Sequence, residues 1–198
     1  MPSPLDHLLS SITSQCPRLK AEESAYLVEG MSVIELRQKE VYLAAGTVQR
    51  ALGFVHSGLL RAFYVDAQGR EISVRFIPEG HYATHYSAFL AQTPSRYTFQ
   101  CMERSCLVSL PFEHIASGYD RFPGLERYGR LVAEGVVKAQ QQRIEGFLFE
   151  NPEERYRRFV ADEPELFRRI SLSALASYLG IERQSLTRIR KRISGLSD

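Results

Sequence analysis

Ile170-Ser171-Leu172-Ser173-Ala174-Leu175-Ala176-Ser177-Tyr178-Leu179-Gly180-Ile181-Glu182-Arg183-Gln184-Ser185-Leu186-Thr187-Arg188-Ile189-Arg190-Lys191-Arg192 is the stretch on which the reading of the chain turns. Ser171 can cap a short helix. Leu172, Leu175, Ala176 and Leu179 give that helix one apolar face, with Ala176 small where a second helix must cross closely. Gly180 tolerates the positive φ that a sharp helix–helix corner needs, and Ile181 plugs the corner. A second helix follows with Leu186 and Ile189 inward, which leaves Arg183, Gln184, Ser185, Thr187, Arg188 and Lys191 on exposed faces. This is a helix-turn-helix pattern. Its second helix is expected to enter the major groove of double-stranded DNA. Arg183 can bridge the two acceptors of guanine and Gln184 can pair with adenine. Ser171, Ser185, Arg190, Lys191 and Arg192 suit phosphates, which position without specifying. Glu182 and Thr187 complete the expected DNA-binding set. The same residues would also make an ordinary αα-hairpin with a basic surface.

Charge points the same way. The net of +2 over 198 residues says little until it is divided along the chain. Within 168–192 there are seven Lys or Arg against one acid, Glu182. So dense a patch is an electrostatic footprint for a polyanion, although a solvated helix face would carry it too. Apolar residues make up 44% and charged residues 24%, values ordinary for a globular protein with a real core. No apolar run approaches the roughly 18–20 residues of a membrane span. The start, Met1-Pro2-Ser3-Pro4-Leu5-Asp6, lacks a signal-peptide pattern. Three scattered cysteines, Cys16, Cys101 and Cys106, suit a reducing cytoplasm rather than a disulfide framework.

Upstream of the motif the apolar period changes twice. Residues 4–15 and 20–30 have helical spacing, with Leu5, Leu8, Leu9 and Ile12 on one side of the first. From about residue 32, short β-type runs alternate with turn signals such as Gly46, Gly58, Asp66-Ala67-Gln68-Gly69 and Pro78-Glu79-Gly80, which predicts a compact barrel or sandwich. Strand material runs from Arg96 to Leu110, and Pro111 closes it. After Phe122-Pro123-Gly124 the helical period returns and lasts to about Glu150. Leu125, Gly129, Val132, Val136, Ala139, Arg143 and Gly146 follow alternating steps of four and three, the spacing of a coiled-coil seam. That spacing predicts a homodimer helix, although it can also serve a helix packed on its own domain. Asn151-Pro152-Glu153-Glu154 stops this helix and starts the next.

The order of elements and the motif resemble the Crp/Fnr family of bacterial transcription regulators over nearly the whole chain. Leu43-Ala44-Ala45-Gly46 and Val55-His56-Ser57-Gly58-Leu59-Leu60-Arg61 look like the family's β-roll turns. Ala176-Ser177-Tyr178-Leu179-Gly180-Ile181 and Leu186-Thr187-Arg188-Ile189-Arg190-Lys191 look like its DNA-binding segment. The resemblance implies an α+β fold with three parts. A cyclic-nucleotide-binding-like β-roll, or double-stranded β-helix, would occupy 1–121. A long dimerisation helix would occupy 122–150, and a helix-turn-helix domain 151–198. It places the main base-reading positions on Arg183, Gln184 and Arg188. The family's wing hairpin is short or missing, squeezed between Pro164 and Ile170.

The resemblance also locates an effector pocket, at Gly80, His81, Thr84, His85, Arg96, Tyr97 and Thr98. Nucleotide-binding relatives hold the ribose with Gly-Glu and the cyclic phosphate with Arg followed by small residues. Here Arg96 falls at the phosphate position, Thr84-His85 replaces Gly-Glu, and Tyr97 stands where a small residue is expected. Thr loses the close backbone approach that Gly permits, and His is a poor stand-in for a carboxylate. A regulator that does not answer to ordinary cyclic AMP is expected. Arg96 can still hold a small anion of other chemistry, or serve a structural ion pair. No metal set is complete, since His81 and His85 lack a third ligand, and Cys101 and Cys106 fall short of a cluster's four thiolates. No cofactor is expected. Neither a phosphate loop nor a nucleophile elbow nor a zinc motif points to an enzyme. The competing expectation is a degenerate sensor domain that only dimerises or binds other proteins, without ligand control.

Overall fold

The computed structural model describes residues 2–193; residues 194–198, the end of the expected C-terminal domain, lie outside the described residues. The fold divides into two compact units. One comprises the residues up to Ala62 together with Phe76–Lys138, the other Phe63–Arg75 with the residues from Ala139 onward.

The first unit opens with α1 (Pro4–Gln15) and α2 (Ala21–Gly30). Ser3 caps α1 by accepting from the Asp6 N–H at 3.2 Å, and Pro4 occupies the first turn, where its missing donor costs nothing. Eight short strands follow, the end of the fourth and most of the fifth counting with the second unit: β1 (Ser32–Leu36), β2 (Val41–Leu43), β3 (Ala51–Ser57), β4 (Leu60–Val65), β5 (Glu71–Ile77), β6 (Tyr82–Ala83), β7 (Thr98–Cys101) and β8 (Ser105–Pro111). They form two four-stranded sheets, ordered β1-β8-β3-β6 and β2-β7-β4-β5. β8 is central to the first, antiparallel to both β1 and β3. The β-type runs and turn signals in the sequence therefore resolve into the expected roll, and the fold is α+β.

Two helices lie within stretches that the apolar period left unassigned: α3 (Tyr86–Ala91) and α4 (Phe112–Arg121). α5 then runs from Pro123 to Phe149. Leu8 and Ile12 of α1, Leu27 of α2, Phe54 of β3, Val108 of β8 and Leu125 of α5 meet in one apolar cluster. Each such side chain contributes about 1.5–3 kcal/mol by leaving water. Glu23 is buried in this unit, and its carboxylate accepts from the Lys20 N–H and the Gly124 N–H, both at 2.8 Å. One acid thus satisfies the orphan donors that start two helices.

The seam read from the sequence needs correction. Leu125 belongs to the core of its own unit, and a Cβ on Gly129 would lie 2.4 Å from the Tyr119 hydroxyl. A Cβ on Gly146 would lie 2.3 Å from the Arg158 guanidinium. These small residues let the chain's own side chains cross α5. Spacing alone could not say what covers them. The large apolar side chains that α5 leaves exposed lie elsewhere, at Val137 (63%), Ile144 (59%), Phe147 (42%), Leu148 (70%) and Phe149 (79%).

Besides residues 63–75, the second unit holds the end of α5 and, among the described residues, four further helices: α6 (Pro152–Asp162), α7 (Pro164–Arg169), α8 (Leu172–Leu179) and α9 (Arg183–Ile193). Asn151 caps α6 by accepting from the N–H groups of Glu153 and Glu154, while Glu154 returns a bond to the Asn151 N–H at 2.7 Å. The expected wing is missing, because residues 164–169 are helical and no strand lies between 151 and 193 among the described residues.

Candidate nucleic-acid interface and effector pocket

Local chemistry builds the α8–α9 corner. The Ala174 N–H donates to Ser171 Oγ at 3.2 Å, so Ser171 caps α8 as read. Gly180 has φ +70°. Its N–H reaches the Ser177 carbonyl at 3.2 Å, and the Ile181 N–H reaches the Ala176 carbonyl at 3.1 Å. That pair of bonds is a Schellman motif, which satisfies carbonyls the helix would otherwise leave orphaned. A Cβ at Gly180 would also meet the Phe147 ring at 2.7 Å. Two arginines finish the corner from outside the motif. Arg143 donates to the Tyr178 carbonyl at 3.0 Å and Arg155 to the Leu179 carbonyl at 3.1 Å. Both guanidinium groups lie over the Phe147 ring, 5.0 and 4.9 Å from its centroid, and Arg143 also lies 4.1 Å over Tyr178. Arg143, a polar misfit in a seam, is a capping residue for α8.

α9 buries Leu186 and Ile189 and turns a polar face outward. Arg183, Gln184, Thr187, Arg188 and Lys191 are exposed and recur at helical spacing, so they share one face. Ser185 is partly covered, beside a surface groove that also takes in Asn151, Glu153, Arg188 and Arg192. Glu182 lies 3.4 Å from Arg70, and Arg192 lies 3.4 Å from Glu153. The Thr187 hydroxyl donates to the Arg183 carbonyl at 3.0 Å. Of the expected set, the corner therefore presents Arg183, Gln184, Thr187, Arg188 and Lys191 together. Ser171 stands apart at the start of α8, and Glu182 is engaged in an ion pair.

Of the expected pocket residues, His85, Arg96 and Tyr97 come together, and the polar groups of the set already hold partners. Thr84 is buried, and its hydroxyl donates to Gln49 Oε1 at 2.9 Å. The Gln49 amide in turn donates to the carbonyls of Ala51 and Ala83, both at 2.9 Å. His85 Nδ1 lies 3.4 Å from both the Arg96 N–H and the Ser95 hydroxyl, and its ring centroid is 4.6 Å from that of Tyr97. The Tyr97 N–H donates to Ser95 Oγ at 3.1 Å, and the Ser95 hydroxyl donates to the Tyr97 carbonyl at 2.9 Å. Thr98 Oγ1 accepts from the Ala45 N–H at 3.2 Å. Gly80, at φ +78°, donates its N–H to the Val55 carbonyl, and His81 is exposed beside the Glu79 carbonyl. Burial, and then the charge of Arg96, hold His85 below the ordinary imidazole pKa. A neutral ring is what the Arg96 N–H needs as an acceptor.

Residues 33–121 match the cyclic nucleotide-binding domain family. FixK2 from Bradyrhizobium japonicum is similar in structure, with a TM-score of 0.72 at 14% identity, over 83% of this chain and 85% of that one. A Eubacterium rectale protein described as a transcriptional regulator of the Crp/Fnr family gives a TM-score of 0.72 at 16% identity, over 92% and 88%. CLP from Xanthomonas campestris, described as a c-di-GMP responsive global regulator, gives 0.70 at 15%, over 89% and 92%. The chain has the Crp/Fnr fold. No curated protein matches its sequence.

Within the Crp/Fnr fold, sequence reasoning missed Gln49, whose amide fills the space beneath Thr84 from 35 positions away. It also missed the Arg143–Phe147–Arg155 stack that closes the α8 corner. For Arg143 a signal existed, since a lone arginine among small and apolar seam positions asks for a buried acceptor. For Gln49 there was none, because nothing in Val48-Gln49-Arg50 distinguishes a pocket residue from a loop residue.

Proposed function

We propose that this protein is a sequence-specific, double-stranded-DNA-binding transcription regulator that acts as a homodimer and does not answer to cyclic AMP. One observation carries the reading. α9 presents Arg183, Gln184, Thr187, Arg188 and Lys191 on one exposed face beyond a Schellman turn at Gly180. A helix so held offers base-reading side chains near its N-terminus and a phosphate contact, Lys191, two turns later. Arg183 and Gln184 read bases, and Arg188 lies one turn beyond them on the same side.

The parts divide as a sensor at 1–121, a dimerisation helix at 122–150 and a DNA-binding domain at 151–198. Dimerisation falls to Val137, Ile144 and Leu148, spaced by seven and four on α5, which are among the apolar side chains that its own units leave uncovered. Two copies are needed because half-sites lie about 34 Å apart. The pocket argues against a nucleotide, because the backbone donors that a cyclic phosphate requires are spent on Ser95 and His85. Three free, buried cysteines suit a reducing cytoplasm.

The test is selection from a random double-stranded DNA pool with the purified protein, followed by mobility shifts at several salt concentrations. An enriched, two-fold symmetric sequence whose affinity falls steeply with salt is expected. Selection that enriches nothing overturns the reading in favour of a dimerisation or interaction module.

A further inference from the structure

An apolar cavity lies in the first unit, lined by residues other than those that bond around His85. It holds about 180 Å³ between α1, α2, α3, α4, the first half of α5 and residues of β3, β6 and β8. Ile12, Leu52, Phe89, Leu110, Ile115 and Leu125 supply much of the wall, and no Lys, Arg, Asp, Glu or His lines it. The polar groups of the lining side chains are the hydroxyls of four tyrosines: Tyr82, Tyr86, Tyr119 and Tyr128. Tyr82 and Tyr128 join hydroxyl to hydroxyl at 2.8 Å. Two hydroxyls bonded to each other use one of their two hydrogens, so the pair retains one donor. Burial raises Tyr119 and Tyr128 to a pKa of about 12 and Tyr82 well above its usual value, so these groups are neutral donors at any physiological pH.

Protein interiors are close-packed, and apolar wall that faces no packed partner forfeits contacts. A cavity of about 150 Å³ lined by aliphatic and aromatic side chains stays dry and takes up benzene. The space here suits one ring with a small substituent. A charged ligand would find no partner and would pay its full desolvation. We propose that this cavity is a binding site for an uncharged, largely hydrocarbon molecule of single-ring size, whose one oxygen accepts from the Tyr82–Tyr128 pair. The site lies wholly within the first unit, so it stands or falls independently of DNA binding. Tyr128 and Leu125 belong to α5, so an occupant bears directly on the helix that continues to Phe149.

The experiment is NMR titration of the full chain, methyl-labelled at Ile and Leu, with acetophenone and p-cresol as probes. Toluene serves as the isostere without oxygen and benzoate as the charged control. Saturable shifts at Ile12, Leu110 and Ile115 are expected with the two oxygen-bearing probes, weaker binding with toluene, and none with benzoate. Tyr128→Phe should weaken acetophenone about tenfold and leave toluene unchanged. Ala116→Phe, which fills the space from α4, should abolish binding of all three neutral probes. If that variant does not fold, the wild-type and Tyr128→Phe titrations decide. The proposal is overturned if neither oxygen-bearing probe saturates, if shifts fall only outside the cavity, if benzoate binds as well as acetophenone, or if Tyr128→Phe changes nothing.

Discussion

The α9 face and the pocket around His85 are built from similar polar side chains held in opposite conditions. On α9, Arg183, Gln184 and Arg188 face solvent. In the pocket, the Thr84 hydroxyl already bonds to the Gln49 amide, the Tyr97 N–H to the Ser95 hydroxyl and the Arg96 N–H to the His85 ring. A site binds when its donors and acceptors await a partner. A polar cluster that has satisfied itself must break those bonds first, and each bond lost without replacement costs about 1–3 kcal/mol. Residue type therefore matters less than what each group already holds.

The largest effect should come from the corner that sets the α9 face in place. Gly180→Val forces a β-branched residue to φ +70° and drives its Cβ toward the Phe147 ring, 2.7 Å away. Together these should cost about 2–4 kcal/mol of stability and remove DNA binding with it. Chemical denaturation measures the first and a mobility shift the second. An unchanged midpoint would mean that the turn is not what fixes α9.

The next effect separates reading from positioning. Arg183→Ala should cost about 1–3 kcal/mol on the selected site and flatten sequence preference. Lys191→Ala should weaken specific and non-specific DNA alike, and lower the slope of log affinity against log salt by about one. Equal losses on all sequences for Arg183→Ala would reduce it to a phosphate contact. Dimerisation can be tested beside these. Ile144→Glu places a charge where 59% of the side chain is exposed in the single chain, so stability of the monomer should hardly move. Light scattering should nevertheless show a monomer at micromolar concentration, and affinity for the two-fold site should drop at least tenfold. A persistent dimer would send the interface elsewhere.

How far the sequence discloses each region follows from distance along the chain. The cap at Ser171, the left-handed residue at Gly180 and the inward pair Leu186 and Ile189 all lie within one short stretch, where local rules suffice. The roll was legible from alternating strands and turn signals. α4 was not, since Pro111 reads as an end to strand and gives no sign that it also starts a helix. The seam on α5 was legible as a pattern but not as a partner. Gly129 is small because Tyr119 crosses it, and only packing reveals that. The pocket residues are legible one by one. That Gln49 would occupy the space beneath Thr84 depends on strands that meet only in the folded chain.

The smallest effect sharpens the pocket side of the comparison. Calorimetry with cyclic AMP should show no binding at micromolar concentration, and His85 offers the reason in a measurable form. Its folded pKa lies below the ordinary value of 6.5, first through burial and then through Arg96. The unfolded chain therefore binds a proton that the folded chain resists. By linkage, the contribution of this ring to stability is present above pH 6.5 and is lost as the pH falls through the folded pKa. Protonation also turns Nδ1 from an acceptor into a donor, so the Arg96 N–H loses its partner. The His85 ring resonances should titrate below pH 6.5, and the Arg96 amide should shift with the same midpoint. In Arg96→Ala the midpoint should rise by less than the full displacement, because burial remains. A midpoint at or above 6.5 in the wild type would mean that the ring is solvated and the site open, and cyclic nucleotides would then have to be tested again as ligands.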